Sequence, residues 1–474
     1  MTRGHPVVDF EERGAQLRQK GEQLAASGVK FVQMEFADVN GHVRGKISPL
    51  VKALSPSGFG ISTLIQTILS NDQVCLTPYS NFENCFPKLC AIADPETFRQ
   101  WSWKPHMASV RCDIFNEDGT SPAIDPRSQL KKIEADLAAH GIEVKAALEY
   151  EFFLFQEDDK AVRERRYADL LPFGRSASVY NLASRPWYGP FVEALFERSE
   201  CIGLKLEAFH TEYGEGMFEY VHDIGSALEA ADAAAHARLH LKQLAGEHGL
   251  IATYMPVIGR QESDTASGAH HNISLWRDGR NLMQPDENGA LSTTARQFAA
   301  GILNAMSDLH LIFRPWVNSY RRMDRHHFSP ENASWGFDHH TAALRVVHGP
   351  TPARTSRYEV RVPGADVNPY LCMAAILGSG LHGIENGMEP PAYAVGDPVE
   401  NGNGEMFPRT YSESIARFEK STLARSIFGD FFVDIYTETR KVEWEAFKNW
   451  LTENPDVDAD RVTQWERIQY FEWL

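Results

Sequence analysis

The period of the apolar positions changes several times along the chain, and each change marks an element. From Glu11 to Ser27 apolar residues recur at helical spacing and stop at Gly28, as expected of a surface helix ended by glycine. Lys30-Phe-Val-Gln-Met-Glu-Phe36 then alternates with period two and predicts a strand. Asn40-Gly41, set between two β-prone runs, predicts a hairpin with a type I′ turn, in which both central residues take positive φ. The first part of the chain reads as a small α+β unit.

After a turn-rich stretch, Pro126 and Gly141 bracket a predicted helix over 127–140, so a domain boundary falls near residue 118 and divides the chain into 1–118 and 119–474. Val144 to Phe155 reads as a strand. Ser226-Ala-Leu-Glu229 is a capping box opening an Ala-rich helix that ends near Gly249. Further strands are predicted at His271–Trp276 and Tyr358–Val362, and helices at 294–309 and through Val442, Trp444, Phe447, Trp450 and Leu451. No repeat and no long flexible linker separates these segments.

The strands carry charges that an ordinary core would not. In Ala146-Ala-Leu-Glu149-Tyr-Glu151-Phe-Phe-Leu-Phe155 two glutamates stand at i and i+2 and so share one face. Like charges in apolar surroundings are costly unless a cation binds between them. Arg357-Tyr-Glu359-Val-Arg361 has the same form, with Arg, Glu and Arg on one face. Ser267-Gly-Ala-His270-His271-Asn272-Ile-Ser274 puts His270, Asn272 and Ser274 together and His271 behind them. His210-Thr-Glu212-Tyr-Gly-Glu-Gly-Met-Phe-Glu219 can double back at Gly214 and Gly216, so that its glutamates face one point. Five glutamates and one imidazole suit Mg²⁺ or Mn²⁺ better than zinc. Two such ions flanked by arginines make a phosphate clamp. Neither a Walker loop nor a Gly-rich dinucleotide loop is present, so a nucleotide must be held in another way.

Composition narrows the partners. With 47 Lys and Arg against 64 Asp and Glu the net charge is −17, which argues against nucleic acid as a partner. The start has no apolar run of signal-peptide length, and no window approaches a membrane span; a cytoplasmic protein without a membrane partner is expected. Six cysteines without a C-x-x-C pair fit reduced thiols.

Taken together, Glu149-Tyr-Glu151, the run Glu207…His210…Glu212…Gly216…Glu219, Ser267-Gly-Ala-His270-x-Asn272-x-Ser274, Asn318-Ser-Tyr-Arg-Arg322, Arg357-x-Glu359-x-Arg361 and Asn368-Pro-Tyr-Leu371 resemble the glutamine synthetase superfamily of the bacterial type. Six motifs in register make the resemblance specific, and it covers nearly the whole chain. It implies an α+β fold: a small N-terminal β-grasp domain, and a large catalytic domain with a curved antiparallel sheet flanked by helices. It also implies a homo-oligomer, commonly a dodecamer, with active sites between subunits. Its substrates would be L-glutamate, ATP and an amine, with two or three Mg²⁺ or Mn²⁺ ions per site. By resemblance, Glu151, Glu212 and Glu219 hold one metal, and Glu149, His270 and Glu359 the other. Glu151, Gly268, Arg322 and Arg361 bind glutamate. Glu207, Asn272, Ser274, Arg345 and Arg357 bind the nucleotide, Arg345 and His340 stand at the transferring phosphate, and Asp38 reaches the amine site of a neighbouring subunit.

Three positions depart from the pattern. Phe328 stands where the family has a flap glutamate that binds ammonium and takes its proton, unless a shift of one to three residues puts Glu331 there. His340 replaces an arginine facing the phosphates, and Thr265-Ala266 replaces an Asn-Gly pair beside the bound glutamate. A phenyl ring cannot bind ammonium, but it favours a neutral amine with an apolar substituent. The expected enzyme is therefore a glutamate–amine ligase making a γ-glutamyl amide from an alkylamine, amino alcohol, polyamine or aniline, with Asp38 and Phe328 lining the acceptor pocket. Ordinary glutamine synthesis is the alternative. A non-catalytic structural or regulatory role fits poorly with six retained metal ligands.

Overall fold

The computed structural model describes residues 8–174, 178–259, 265–323, 328–401 and 404–474. The N-terminal unit is a helix, Phe10–Ala26, against a mixed sheet of six strands: β1 Phe31–Ala37, β2 Val43–Pro49, β3 Phe59–Ser62, β4 Lys88–Ala93, β5 Arg99–Gln100 and β6 Met107–Phe115. They run in the order β2-β1-β6-β4-β3, with β5 on β6, and β1 lies parallel to β6. Asp9 caps the helix by accepting from the Glu11 and Glu12 amides. Leu17 and Leu24 on its buried side join Val32, Met34 and Val110 in a separate small core.

The hairpin at Asn40-Gly41 forms with a different turn from the one predicted. Only Gly41 has positive φ, at 83°, and the loop closes through Asp38 N–H to His42 O, 3.0 Å. This is a three-residue loop ending in a left-handed glycine, which leaves Asn40 in an ordinary conformation. Gly41 is needed for a second reason: a Cβ there would lie 2.8 Å from Asn368 Cα. The Asn368 amide donates to the Asp38 and Val39 carbonyls at 3.2 and 3.1 Å, fastening the hairpin to the start of helix Pro369–Glu385.

The N-terminal sheet ends at Phe115 and the next helix begins at Pro126, with a turn at Gly119 between them. Among the described residues nine strands follow: β7 Glu143–Phe155, β8 Leu206–Thr211, β9 Met217–His222, β10 Ile251–Thr253, β11 Ala269–Arg277, β12 Arg280–Asn281, β13 Trp335–Phe337, β14 Leu344–Val347 and β15 Arg357–Val360. The order is β13-β14-β15-β11-β7-β9-β8, antiparallel except for β13 with β14. The period-two pattern of β7 sends Val144, Ala146, Leu148 and Tyr150 into the core beneath helices Pro126–Ala139 and Ala227–Glu247. Each large apolar side chain so buried contributes roughly 1.5–3 kcal/mol. Helix Ala227–Glu247 opens with the predicted capping box, the Ser226 hydroxyl accepting from Glu229 N–H and the Glu229 carboxylate accepting from Ser226 N–H. Because one face of the sheet is filled by helices, the alternate residues of the same strands are free to build a polar site on the other. No helix of the described residues is long and apolar enough to cross a membrane.

Candidate active site

Strand register assembles the site. Glu149 on β7 is opposite His270 on β11, and Glu151 is opposite Glu219 on β9. Glu219 is opposite His210 on β8; on the other side Asn272 of β11 is opposite Glu359 of β15, which is opposite Arg345 of β14. Directly opposed residues share a face, so six strands place their charged side chains in one band.

Two groups within the band can each hold a cation. Ligand atoms of Glu149, His270 and Glu359 all lie within 4.8 Å of one another, as do those of His210, Glu212 and Glu219. His270 Nδ1 is 3.3 Å from Glu149 and 3.6 Å from Glu359. His210 is 3.4 Å from Glu212 and 3.7 Å from Glu219. The first group is the set expected from the sequence. In the second, His210 joins Glu212 and Glu219, while Glu151 stands beside them and accepts a hydrogen bond from the Gly268 amide.

Electrostatics favour a cation there. Burial, then Glu219 and Glu212, pushes the Glu151 carboxyl up to about 8, and burial also raises Glu212 and Glu219. Three carboxyls held above their ordinary range is the cost of like charges gathered without a counter-ion. Burial lowers the His270 imidazole far below its usual value, leaving it neutral and able to donate a lone pair. Burial opposes ionisation of Glu359, but the permanently charged Arg361 and Arg345 beside it outweigh that and hold its pKa below the ordinary value. Oxygen donors with an imidazole fit a hard divalent ion such as Mg²⁺ or Mn²⁺.

At one end of the band Arg322, 2% exposed, donates to Ser329 Oγ at 3.2 Å and to Val362 O at 3.0 Å. A Cβ on Gly268 would fall 2.6 Å from Arg322 Nη2 and 3.3 Å from Glu151, so glycine is what lets both side chains approach this backbone. Arg361 pairs with Glu359, which also accepts from Arg345 at 2.8 Å. His340 is exposed, and partial burial together with Arg345 and Arg361 lowers its pKa, so at neutral pH it adds no positive charge. Thr265 packs its hydroxyl on Met217, 3.2 Å from the sulfur.

A cavity of about 240 Å³ adjoins the first cation group and is lined by Lys145, Glu149, Glu207, Asn272, Ser274 and Arg357 among others. Four of the five expected nucleotide residues share it; Arg345 lies outside its lining. Arg357 donates to Asn272 Oδ1 and Asn272 to Glu149, both at 2.8 Å, linking this cavity to the cation group.

The acceptor side brings one correction and one addition. Asp38 is not available to another subunit: it is 0% exposed, and its carboxylate accepts from Arg44 Nε at 2.8 Å and from the Asn40 and His42 amides. It serves the hairpin, and its short side chain has no route outward. Phe328 is 50% exposed, with φ at 53°, and precedes the Ser329 that touches Arg322. Residues 324–327, the start of the flap sequence, lie outside the described residues. Glu331 is buried, and its carboxylate lies 2.7 Å from Arg409. Tyr180, unmarked by any pattern in the sequence, also has positive φ; its ring is 69% exposed and lies 4.6 Å from that of His210.

Comparison with known proteins gives the family. The glutamine synthetase catalytic domain family matches residues 123–459, well over half of the chain, and the chain belongs to that family. Its members are ligases that form C–N bonds with ATP and divalent metal ions. Within it, the chain is 31% identical to the gamma-glutamylethanolamide synthetase of Streptomyces coelicolor, over 95% of this chain and 94% of that one. It is 30% identical to a glutamine synthetase of Pyrococcus abyssi, over 94% and 98%. A solved GmaS/ADP complex superposes with a TM-score of 0.78 at 25% identity, over 94% of this chain and 98% of the other.

Proposed function

We propose that the protein joins the side-chain carboxylate of L-glutamate to a small alkyl or aromatic amine, using ATP and passing through γ-glutamyl phosphate. The observations that support this reading are the two cation groups and the half-exposed Phe328, which precedes the Ser329 that touches Arg322. Similarity to an ethanolamide synthetase supports it. Comparable identity to a glutamine synthetase keeps ammonium as the second reading.

In this scheme Arg322 and Arg361 grip glutamate and direct its γ-carboxylate toward the nucleotide cavity. Glu207, Asn272, Ser274 and Arg357 hold ATP, while Arg345 faces the transferring group and His340 offers it a neutral hydrogen bond. Two or three bound Mg²⁺ or Mn²⁺ ions would neutralise charge on the phosphates. The γ-carboxylate oxygen attacks the terminal phosphorus and ADP leaves. The amine nitrogen then attacks the acyl carbon, the C–O bond to phosphate breaks, and the nitrogen gives up a proton to yield the amide. Phe328 and Tyr180 provide an apolar wall for the amine substituent. The enzyme works as a homo-oligomer of the dodecameric kind, with sites between subunits.

The test is product identification by mass spectrometry after incubation with glutamate, ATP, Mg²⁺ and a panel of amines. A γ-glutamyl amide with equivalent phosphate release is expected; no amide with any organic amine would contradict the reading.

A further inference from the structure

A second cavity, of about 550 Å³, lies between the N-terminal sheet and the helices of the larger part. One wall carries Arg99 of β5 and Arg111 of β6. Arg99 is opposite Ser109, so Arg111, two residues further on, is its diagonal neighbour on the same face. The Arg111 side chain is only 11% exposed and makes no hydrogen bond to any described group. Its nearest carboxylate, Asp232, is 3.8 Å from Nε and already accepts both Arg127 nitrogens at 2.9 Å and the Tyr370 hydroxyl at 2.7 Å. Arg99 donates only to the Glu96 and Phe98 carbonyls, each at 2.8 Å, and among the described residues has no carboxylate in ion-pair range. Burial and the proximity of Arg111 lower its pKa. Glu200, Asp223 and Glu229, from the larger part of the chain, also line the cavity.

A largely buried guanidinium without a hydrogen bond, such as that of Arg111, is costly, and the planar forks of Arg111 and Arg99 match a carboxylate. The acidic lining would repel a polyanion but suits an ammonium group. We propose that this cavity binds a small amino-acid zwitterion, its carboxylate on Arg99 and Arg111 and its ammonium toward the acidic side chains. The volume is in the range of small-molecule sites. Ile224 lines both this cavity and the nucleotide cavity, and the next residue, Gly225, exchanges backbone hydrogen bonds of 2.9 and 3.0 Å with Ala146 of β7. The ligand therefore abuts the turn that borders the nucleotide cavity. Glutamate and a γ-glutamyl amide both carry the ammonium–carboxylate pair, and glycine reports that shared chemistry without a side chain.

Equilibrium dialysis with glycine tests this on the full chain, using Arg111→Gln, Arg99→Gln and, to disable the glutamate site, Arg322→Ala. Saturable binding is expected in the unmodified protein and in Arg322→Ala, weakened roughly tenfold or more in both Arg111→Gln and Arg99→Gln. Acetate and methylamine, each with half of the pair, should compete far more weakly. Arg99 makes no ion pair among the described residues, so its variant keeps the test decisive if Arg111→Gln fails to fold. Absence of saturable glycine binding, its loss in Arg322→Ala with retention in Arg99→Gln, or acetate binding as tightly as glycine would each overturn the proposal. Dialysis of Arg322→Ala against glutamate and against a γ-glutamyl amide then distinguishes substrate from product as the ligand.

Discussion

Glu151 on β7 stands directly opposite Glu219 on β9, Glu219 buried and Glu151 partly so, with Glu212 close by, and burial with these two carboxylates pushes the Glu151 carboxyl up to about 8 in the metal-free protein. Its pKa is raised above the ordinary 4.5 by folding. Ionisation therefore opposes the fold, and this contribution makes the metal-free protein lose stability as pH rises from the ordinary value toward 8. A divalent cation must displace that proton, so Mn²⁺ affinity should increase with pH, roughly tenfold per unit for one proton, and level off above about 8. Calorimetric titration across this range checks it. A flat affinity would show that Glu151 is already ionised.

Glu359 is the node between the first cation group and the arginines, accepting from Arg345 and Arg361 and lying 3.6 Å from His270. Glu359→Ala should reduce phosphate release by several orders of magnitude and remove one Mn²⁺ from the stoichiometry. It should also lower stability by about 3–5 kcal/mol, because the buried Arg361 guanidinium loses its carboxylate partner, while Arg345 keeps Asp338. Near-normal turnover would defeat the assignment.

The carboxylate band was readable from the sequence because strand alternation is a rigid rule. Once Glu149 and Glu151 are placed on a strand backed by Leu148 and Tyr150, their shared face follows. The partners across the register, and with them the inclusion of His210, depend on pairing that no local pattern encodes. Asp38 was misjudged for a related reason: an aspartate before Val39-Asn40-Gly41 can serve its own turn or point outward, and only Arg44 folding back decides. Tyr180 had no signal, since its position comes from an irregular loop beside Thr211, to which its amide donates at 3.0 Å.

Arg322 reaches Ser329 and Val362 with Nη1 and the Arg361 carbonyl, at 3.5 Å, with Nη2, which also lies beside Gly268. Arg322→Lys keeps a charge but loses the planar fork. The apparent KM for glutamate should rise roughly tenfold or more, with a smaller change for ATP. Initial-rate measurements decide, and an unchanged glutamate KM would place the donor on other residues.

Phe328→Glu puts a carboxylate where a half-exposed phenyl ring now stands, at the position that the sequence resemblance gives to the flap glutamate. Turnover with ammonium should increase relative to an alkylamine by roughly ten- to two-hundredfold, the range expected when a few methylenes lose an apolar wall. Parallel assays of both acceptors in the variant and the unmodified protein test this. Equal shifts for both acceptors would remove Phe328 from the acceptor pocket.

The most direct measurement is the ratio of kcat/KM for ethylamine to that for ammonia in the unmodified protein, each expressed per unprotonated nucleophile at saturating glutamate and ATP. An acceptor pocket walled by Phe328 predicts a ratio well above one, with γ-glutamylethylamide as the product. Efficient glutamine formation with no turnover of ethylamine or of any aryl amine would contradict it, and would make the protein a glutamine synthetase with an altered flap.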